Sequence, residues 1–508
     1  MRVVTPKEMN AADEIMSRKY MMPTSLLMEN AGAAVATYLS ENYSKSNKIL
    51  FVTGSGNNGG DGWAAARMLF AKGYNVSVFS LCSESRMKEL TLTNFKIAEQ
   101  FGIDYSLDVT AEELEQNIIR YSIVVDAILG TGITGTVNDN TRKIIEVINA
   151  SGKNVISIDV PSGINAESGA VCGTAIKADT LIVLGTVKQG LLFCPAKYCY
   201  GKMIVDSISI PESVYNETSD YKAVYNNKEI ASMLYPRNSA SHKGSYGKLG
   251  IIAGSAGMTG AACMAAESAL RSGAGIIRLA VPQRLNNIFE VKLTEQMTVP
   301  MPDNNFGALI SSRELIDFAD GHSALLIGPG LGSCSHGSTF IPEILNVYGN
   351  SVVIDADGIN SIASNPDILK NGNCIITPHI GEMARLTGKT PQEISNSQVY
   401  YAREFAEKYN VTVVLKNYIT VIASPDGKTV FNTTGNCGMA TGGSGDVLAG
   451  IIASLCAQGY GRFEAAVLGA YVNGLAADIA VKRTGVVSLT PTDTSNALCE
   501  AFTLLYSL

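Results

Sequence analysis

No two of the ten cysteines stand in a Cys-x-x-Cys pair, and the closest in sequence are Cys194 and Cys199. Zinc or a disulfide framework would need tighter patterning, so the thiols read as reduced and the compartment as the cytoplasm. There is no surplus of positive charge either. The formal net charge is −7, which leaves no electrostatic footprint for nucleic acid or an acidic membrane surface. A small anionic ligand is not excluded, because local backbone N–H groups hold phosphate on acidic proteins too. The opening stretch, Met1-Arg-Val-Val-Thr-Pro-Lys-Glu-Met-Asn10, has no apolar signal core. No apolar window looks long enough to span a bilayer, and no membrane partner is expected. What the chain does have is length, with 508 residues, 46% hydrophobic residues and 49 glycines. That is too much for one core and suits glycine-punctuated α/β architecture in two or three domains.

In the first half, residues 7 to 40 predict a helix broken near Pro23. The apolar run Lys48 to Thr53 predicts a strand that ends in Gly54-Ser-Gly-Asn-Asn-Gly-Gly-Asp-Gly62, with a helix from Trp63 to Lys72. Strand, glycine loop and helix in that order favour phosphate binding. The dinucleotide fingerprint is absent, since two asparagines and an aspartate fill the loop and offer oxygens beside the N–H groups. Two further strand ends repeat the theme: one reaches Asp126 and runs into Gly130-Thr-Gly-Ile-Thr-Gly-Thr136, the other reaches Asp159 and runs into Val-Pro-Ser162. Ligands of open α/β sheets sit beyond the carboxyl ends of strands. Asn58, Asp126 and Ser162 therefore make a candidate all-oxygen site, with one carboxylate among neutral oxygens, which suits a weakly charged hard cation. Each taken alone also suits an ordinary helix cap.

The polar stretch from Pro211 to Tyr225 is aperiodic, and the domain boundary is placed near residue 218, giving 1–217 and 218–508. Strand candidates then alternate with helices: Leu249 to Ala253, Gly275 to Val281, Ala324 to Gly328, Ser351 to Asp355, Cys374 to Thr377 and Val411 to Lys416. Repeated βα units imply a mostly parallel sheet covered on both faces. Several strand ends are chemically equipped. Ile327-Gly-Pro-Gly330-Leu-Gly332 is a turn open to a flat ligand. Asp355-Ala-Asp357 offers carboxylates able to orient magnesium through water. Thr377-Pro-His379-Ile-Gly-Glu382 sets an imidazole beside an acid, and Lys416 puts a cation where a nucleotide phosphate could lie. A solitary histidine of this kind is more often structural and a solitary lysine more often a solvated surface residue, so only their joint placement carries weight.

The stretch Thr441-Gly-Gly-Ser-Gly-Asp446 runs glycine-rich to one carboxylate and then turns apolar with helical spacing through Leu448, Ile451, Ile452 and Leu455. N–H groups at such a helix start gather around phosphate oxygens. A carboxylate beside them would accept a proton from a hydroxyl about to attack phosphorus. The bare motif also fits a helix cap.

Taken in order, Gly-Asn-Asn-Gly-Gly-Asp-Gly, Asp-Ala-Ile-Leu-Gly-Thr-Gly, Asp-Val-Pro-Ser-Gly and Ala178-Asp-Thr-Leu-Ile-Val-Leu-Gly185 resemble the NAD(P)H-hydrate epimerase domain over roughly the first 215 residues. Thr-Pro-His-Ile-Gly-Glu-Met and Gly438-Met-Ala-Thr-Gly-Gly-Ser-Gly-Asp446 resemble the NAD(P)H-hydrate dehydratase domain, from about Lys228 onward. The resemblance implies a Rossmann-like α/β/α sandwich followed by a ribokinase-like one. It implies epimerisation of hydrated NADH or NADPH at C6, then ADP-dependent dehydration of the S form, giving AMP and phosphate. In the first domain it implies potassium on Asn58, Asp126 and Ser162. Substrate there would lie on Asn57, Asn58, Gly59, Gly60 and Asp61, on Gly130, Thr131, Gly132, Ile133, Thr134, Gly135 and Thr136, and on Asp159, taken as the acid/base. In the second it implies hydrated nucleotide on Ala261, Gly330, His379 and the catalytic Asp446, and magnesium-bound ADP on Lys416, Asn417, Tyr418, Ile419, Thr420 and Gly445. Lys-Asn-Tyr-Ile-Thr departs from the usual Lys-Gly run, which implies altered adenosine packing. Expected partners are these small molecules and further copies of the chain. A small-molecule kinase with an N-terminal nucleotide-binding module is the alternative, since the same loop and aspartate would serve it.

Overall fold

The computed structural model describes residues 1–133, 135–218, 220–332 and 334–508, without the side chains of 334–336 and 371. The chain forms two compact units, Met1–Asp220 and Tyr221–Leu508.

The first unit is built on seven parallel strands in the spatial order Asp104–Ser106, Asn75–Ser80, Lys48–Thr53, Ile123–Ala127, Asn154–Ile158, Ala178–Leu184 and Tyr200–Asp206. The chain leaves Lys48–Thr53 in one direction, returns, and continues from Ile123–Ala127 on the other side. Their carboxyl ends therefore border a switch point, where an open sheet leaves a crevice. Alternation along the strands feeds both faces. Ile49, Phe51, Ile123 and Val125 pack in one cluster with Val35, Trp63 and Leu69 from the helices, while Leu50, Val52 and Val124 are buried on the opposite face. The N-terminal helix, Pro6–Arg18, starts on a capping box between Thr5 and Glu8 with proline in its first turn. Pro23 separates it from Thr24–Asn42.

The second unit carries a ten-stranded sheet. Lys248–Ile252, two strands from one edge, is flanked by Ile276–Pro282 on one side and Ala324–Ile327 on the other, so the switch point lies between Lys248–Ile252 and Ala324–Ile327. Ser351–Ile354, Asn373–Ile376 and Thr412–Leu415 continue the parallel run. The helices Thr259–Arg271, Ser444–Ala457 and Arg462–Thr484 bury alanines and aliphatics in one cluster with Leu249, Ile251, Leu326 and Val353.

Several expectations need correction. The glycine-asparagine stretch is not a loop, because the helix begins at Asn57 and runs to Ala71. Close approach explains why: a Cβ at Gly59 would stand 2.0 Å from the Gly54 carbonyl oxygen, so glycine lets the first turn settle on the strand end. The segment read as aperiodic contains a helix, Glu212–Thr218, and Lys222–Ala223 joins the edge of the second sheet. That sheet also has an unforeseen edge strand, Met297–Met301, and an antiparallel hairpin, Thr420–Ala423 with Thr429–Asn432. Arg462–Thr484 is by length and composition able to cross a bilayer, contrary to the sequence reading. However, 72% of its apolar window is buried inside the protein, and it packs as a core helix.

Candidate active sites

Strand ends and the glycine-rich helix start of the first unit enclose a cavity of about 740 Å³. Asn57, Asn58, Asp61, Gly130, Thr131, Gly132, Ile133 and Asp159 all line it. Gly59 and Gly60 are buried in the helix behind that wall, while Gly135 and Thr136 are exposed and do not line it. Thr134 lies outside the described residues.

Asp126 is fully buried and accepts four hydrogen bonds: from Ser157 Oγ at 2.8 Å, Ser162 N at 2.9 Å, Ser162 Oγ at 2.5 Å and Ile128 N at 3.2 Å. Burial raises its pKa against the pull of these bonds. Asn58 reaches the same loop, with Nδ2 donating to the Leu129 carbonyl that Ser162 Oγ also contacts, at 3.1 and 3.2 Å, and with Oδ1 buried without a partner. Ser162 Oγ also accepts from Leu129 N at 2.8 Å. The donors around Asp126 are all neutral and an amide oxygen is orphaned nearby, so the oxygen set suits a monovalent cation.

Asp159 follows its strand with a left-handed backbone, φ 64°. Its carboxylate accepts from Leu184 N at 3.1 Å and pairs with Lys188, whose side chain is 1% exposed. Lys188 also donates to the Leu184 carbonyl at 2.5 Å. Sequence reasoning missed Lys188 and Asp13, which both line this cavity. The signal available for Lys188 was a lone lysine in a two-residue strand, and for Asp13 one carboxylate among several on an amphipathic helix.

In the second unit, the residues after Lys248–Ile252 and Ala324–Ile327 meet at the switch point. A Cβ at Gly330 would lie 3.2 Å from Ala261 Cβ, so those two expected substrate residues are neighbours. Asp357 accepts from Gly332 N at 2.9 Å, tying two strand-end loops together. Ala356 between the two aspartates has φ 49°, and this turn sends Asp355 inward. Asp355 is 1% exposed, pairs with Lys416 Nζ at 2.8 Å and accepts from Thr377 Oγ1 at 2.6 Å.

Lys416 therefore has a partner other than the phosphate expected of it. Burial works against its charge, but Asp355 and Glu382 outweigh burial and raise its pKa. Its ammonium lies 3.2 Å from where a Cβ of Gly445 would be, directly under the glycine turn. Gly443, with φ 101°, makes that turn and opens Ser444–Ala457, so Asp446 stands in the helix's first turn. Asp446 is pushed up to about 7 by burial and by Asp355, against the pull of Lys416.

His379 caps the next helix through Nδ1, which accepts from Gly381 N at 2.9 Å. That bond puts the ring proton on Nε2, 3.5 Å from Glu382. Burial, then Lys416 and Arg385, lower its pKa and keep it neutral. Glu382 is raised to about 7, mainly by burial. A backbone bridge joins His379 to Lys416, bringing the two strand ends into register. Asn417 accepts from Tyr418 N at 2.9 Å, Tyr418 is 45% exposed, Ile419 is buried and Thr420 opens the hairpin strand. No cluster of three or more His, Cys, Asp or Glu able to hold a metal occurs among the described residues.

Two family models match the chain, one described as YjeF-related protein N-terminus over residues 24–190 and one as NAD(P)H-hydrate dehydratase over residues 249–500. A bifunctional NAD(P)H-hydrate repair enzyme of Moorella thermoacetica is 36% identical over 497 residues, covering 96% of this chain and 93% of its own. The enzyme of that name from Escherichia coli K12 is 33% identical over 476 residues, covering 93% and 88%. Among solved structures, an ADP/ATP-dependent NAD(P)H-hydrate dehydratase from Bacillus subtilis, co-crystallised with ATP/Mg2+, is 28% identical. It covers 56% of this chain and 98% of its own, with a TM-score of 0.48. At this identity over nearly the whole length, the chain belongs to the bifunctional NAD(P)H-hydrate repair enzymes, a family that unites an epimerase and a dehydratase on one polypeptide.

Proposed function

We propose that residues 1–217 interconvert the C6 epimers of hydrated NADH or NADPH, and that residues 218–508 dehydrate the S epimer with ADP as phosphoryl donor. The observation that carries the second half is Asp446 in the first turn of a helix entered through glycines, with its pKa near neutrality. At neutral pH such a group both exists as a base and holds the proton it takes.

The dehydration follows from leaving-group chemistry. Hydroxide leaves poorly, so Asp446 accepts the C6 hydroxyl proton as that oxygen bonds the terminal phosphorus of ADP and AMP departs. The original C6–O bond then breaks with phosphate leaving, assisted by the ring nitrogen lone pair, and loss of a C5 proton restores NADH. N–H groups at Gly443 to Gly445 are suited to the phosphate oxygens. The Lys416–Asp355 pair beneath them would hold the turn in place. Neutral His379 offers Nε2–H to the hydrated ring, next to Ala261 and Gly330. Asn417 to Thr420 would bed the adenosine. Magnesium would enter on the nucleotide and offset phosphate charge; Asp355 is committed to Lys416 and Thr377, so Asp357 is the carboxylate left to orient its waters.

In the first domain Asn58, Asp126 and Ser162 would hold potassium, whose charge would balance the buried carboxylate. The unpartnered Asn58 Oδ1 supports this assignment. Asp159 would act as acid/base at C6, over the walls formed by Asn57, Asn58, Asp61 and Gly130 to Ile133.

Incubation of the R and S forms of hydrated NADH with ADP, and in parallel with ATP, tests the whole reading. Recovery of NADH absorbance with stoichiometric AMP and phosphate is the expected result. No recovery, or ADP formed from ATP without recovery, would defeat it and favour a kinase.

A further inference from the structure

Four of the charged side chains lining the first domain's cavity come from four separate segments: Asp13 on Pro6–Arg18, Asp61 on Asn57–Ala71, Asp159 after Asn154–Ile158, and Lys188 on Val187–Lys188. The potassium reading uses none of them, and the epimerase reading uses Asp159 as acid/base and Asp61 only as part of the substrate wall. Lys188 is buried and bound on two sides, by the Asp159 carboxylate and the Leu184 carbonyl. Its short strand pairs in parallel with Val3–Val4, and Thr186 Oγ1 donates to the Arg2 carbonyl at 2.6 Å. The ammonium is thus placed by the fold, not by a flexible stem.

Three carboxyls gathered around one ammonium in a partly buried cavity disfavour one another's ionisation. Asp61 is driven well above the usual carboxylate range by burial, then by Asp159 and Asp13, with Lys188 pulling it back. Asp13 is raised to about 6 by burial and Asp159, again against Lys188. Among the described residues the Tyr215 phenol is a further titratable neighbour, raised by burial and by Asp13 and Asp159, and the Cys82 thiol also lines the cavity. The cavity's other cations, Arg86 and Lys88, stand on the 81–88 segment, and Arg86 is paired with Asp108.

We propose that Lys188 is the positioning residue of the epimerase, binding Asp159 so that this carboxyl stays the base while Asp13 and Asp61 share the proton that the reaction needs. The inference rests on the epimerase reading above. A proton passes from the Asp13/Asp61 pair to the C6 hydroxyl oxygen, the C6–O bond breaks, and water leaves as the ring nitrogen lone pair forms C6=N. Water then adds to the other face of C6, and Asp159 takes its proton. Return of that proton from Asp159 to the pair resets the site, with no net change but configuration.

The test is the pH profile of epimerisation, followed by NMR exchange between the two C6 epimers, in Lys188→Met, Lys188→Arg and Asp13→Asn of the full chain. Lys188→Met should lower kcat about 100-fold with KM changed less than about threefold. Both limbs of its profile should move up by about one pH unit, because a positive neighbour is lost. Lys188→Arg should keep the limbs near wild type. Asp13→Asn should move only the alkaline limb, and downward, because the proton-holding pair loses a negative neighbour. Limbs that stay put in Lys188→Met and Asp13→Asn overturn the proposal, as does a rise in KM alone. If both Lys188 variants fail to fold by circular dichroism, Asp13→Asn decides. A wild-type chain that does not interconvert the epimers defeats the epimerase reading itself, a separate outcome.

Discussion

Asp446→Asn isolates the base of the dehydratase without changing the shape of the turn. The wild-type carboxyl is held at about 7 by burial and Asp355, against Lys416. As base it must be ionised, so activity rises with pH: roughly one-tenth of the enzyme carries the base at pH 6 and nine-tenths at pH 8. On that account kcat/KM for hydrated NADH with ADP climbs about tenfold per pH unit below the midpoint and levels off above it, a limb that belongs to the free enzyme. Asparagine removes the acceptor and should cost about 10²–10⁴ in kcat, or ~3–5 kcal/mol of barrier, while ADP still binds. Asp355→Asn gives the sign check. Loss of that negative neighbour leaves Lys416 facing Asp446 unopposed, so the acidic limb should move down by about one pH unit. The assay is NADH absorbance at saturating ADP across pH 5.5 to 8.5. A flat wild-type profile, or an asparagine variant within about tenfold of wild type, would refute a base at Asp446.

Asp355 is 1% exposed and pairs with Lys416, so Lys416→Met leaves a buried carboxylate unpaired and should destabilise the second domain by about 3–5 kcal/mol. Adding Asp355→Asn should recover at least half of that, measured by urea unfolding. A Cβ at Gly59 would meet the Gly54 carbonyl oxygen at 2.0 Å, so Gly59→Ala should cost ~3 kcal/mol in the first domain and lower epimerase activity. A melt unchanged within experimental scatter would contradict the close packing. Replacing potassium with tetramethylammonium, or Asn58 with alanine, should reduce epimerase turnover at least about tenfold; equal rates in both salts would count against the cation site. Epimerisation through water loss should carry one solvent oxygen-18 into the C6 hydroxyl per inversion, read by mass spectrometry, and inversion without label would point to another route.

Much of this molecule is legible in residue order because its chemistry sits at strand ends, and strand ends are punctuated by glycine and carboxylate. Asn58, Asp126, Ser162 and His379 stand at or just past the end of an apolar run, and Asp446 where one begins, so local pattern was enough to propose them. Local pattern was misleading where packing decides conformation. Asn57 to Gly62 looks like a loop by propensity, yet it is the first turn of a helix because the glycines let it press on the neighbouring strand end. Edge strands such as Met297–Met301, and the long apolar helix Arg462–Thr484, carry too little or too generic a signal for their setting to be read.

Charge placement is where residue order said least. Lys416 reads as a strand-end cation suited to a nucleotide phosphate, and the folded chain also sets it against the buried Asp355, beneath Gly445. Lys188 and Asp13 belong to no glycine motif. They reach Asp159 only because a two-residue strand pairs with the chain's start and a helix then folds over the cavity. The residues able to do acid/base chemistry were determined by the sequence alone. Which of them stay charged depends on burial and on neighbours distant in the chain, and the tertiary structure supplies both.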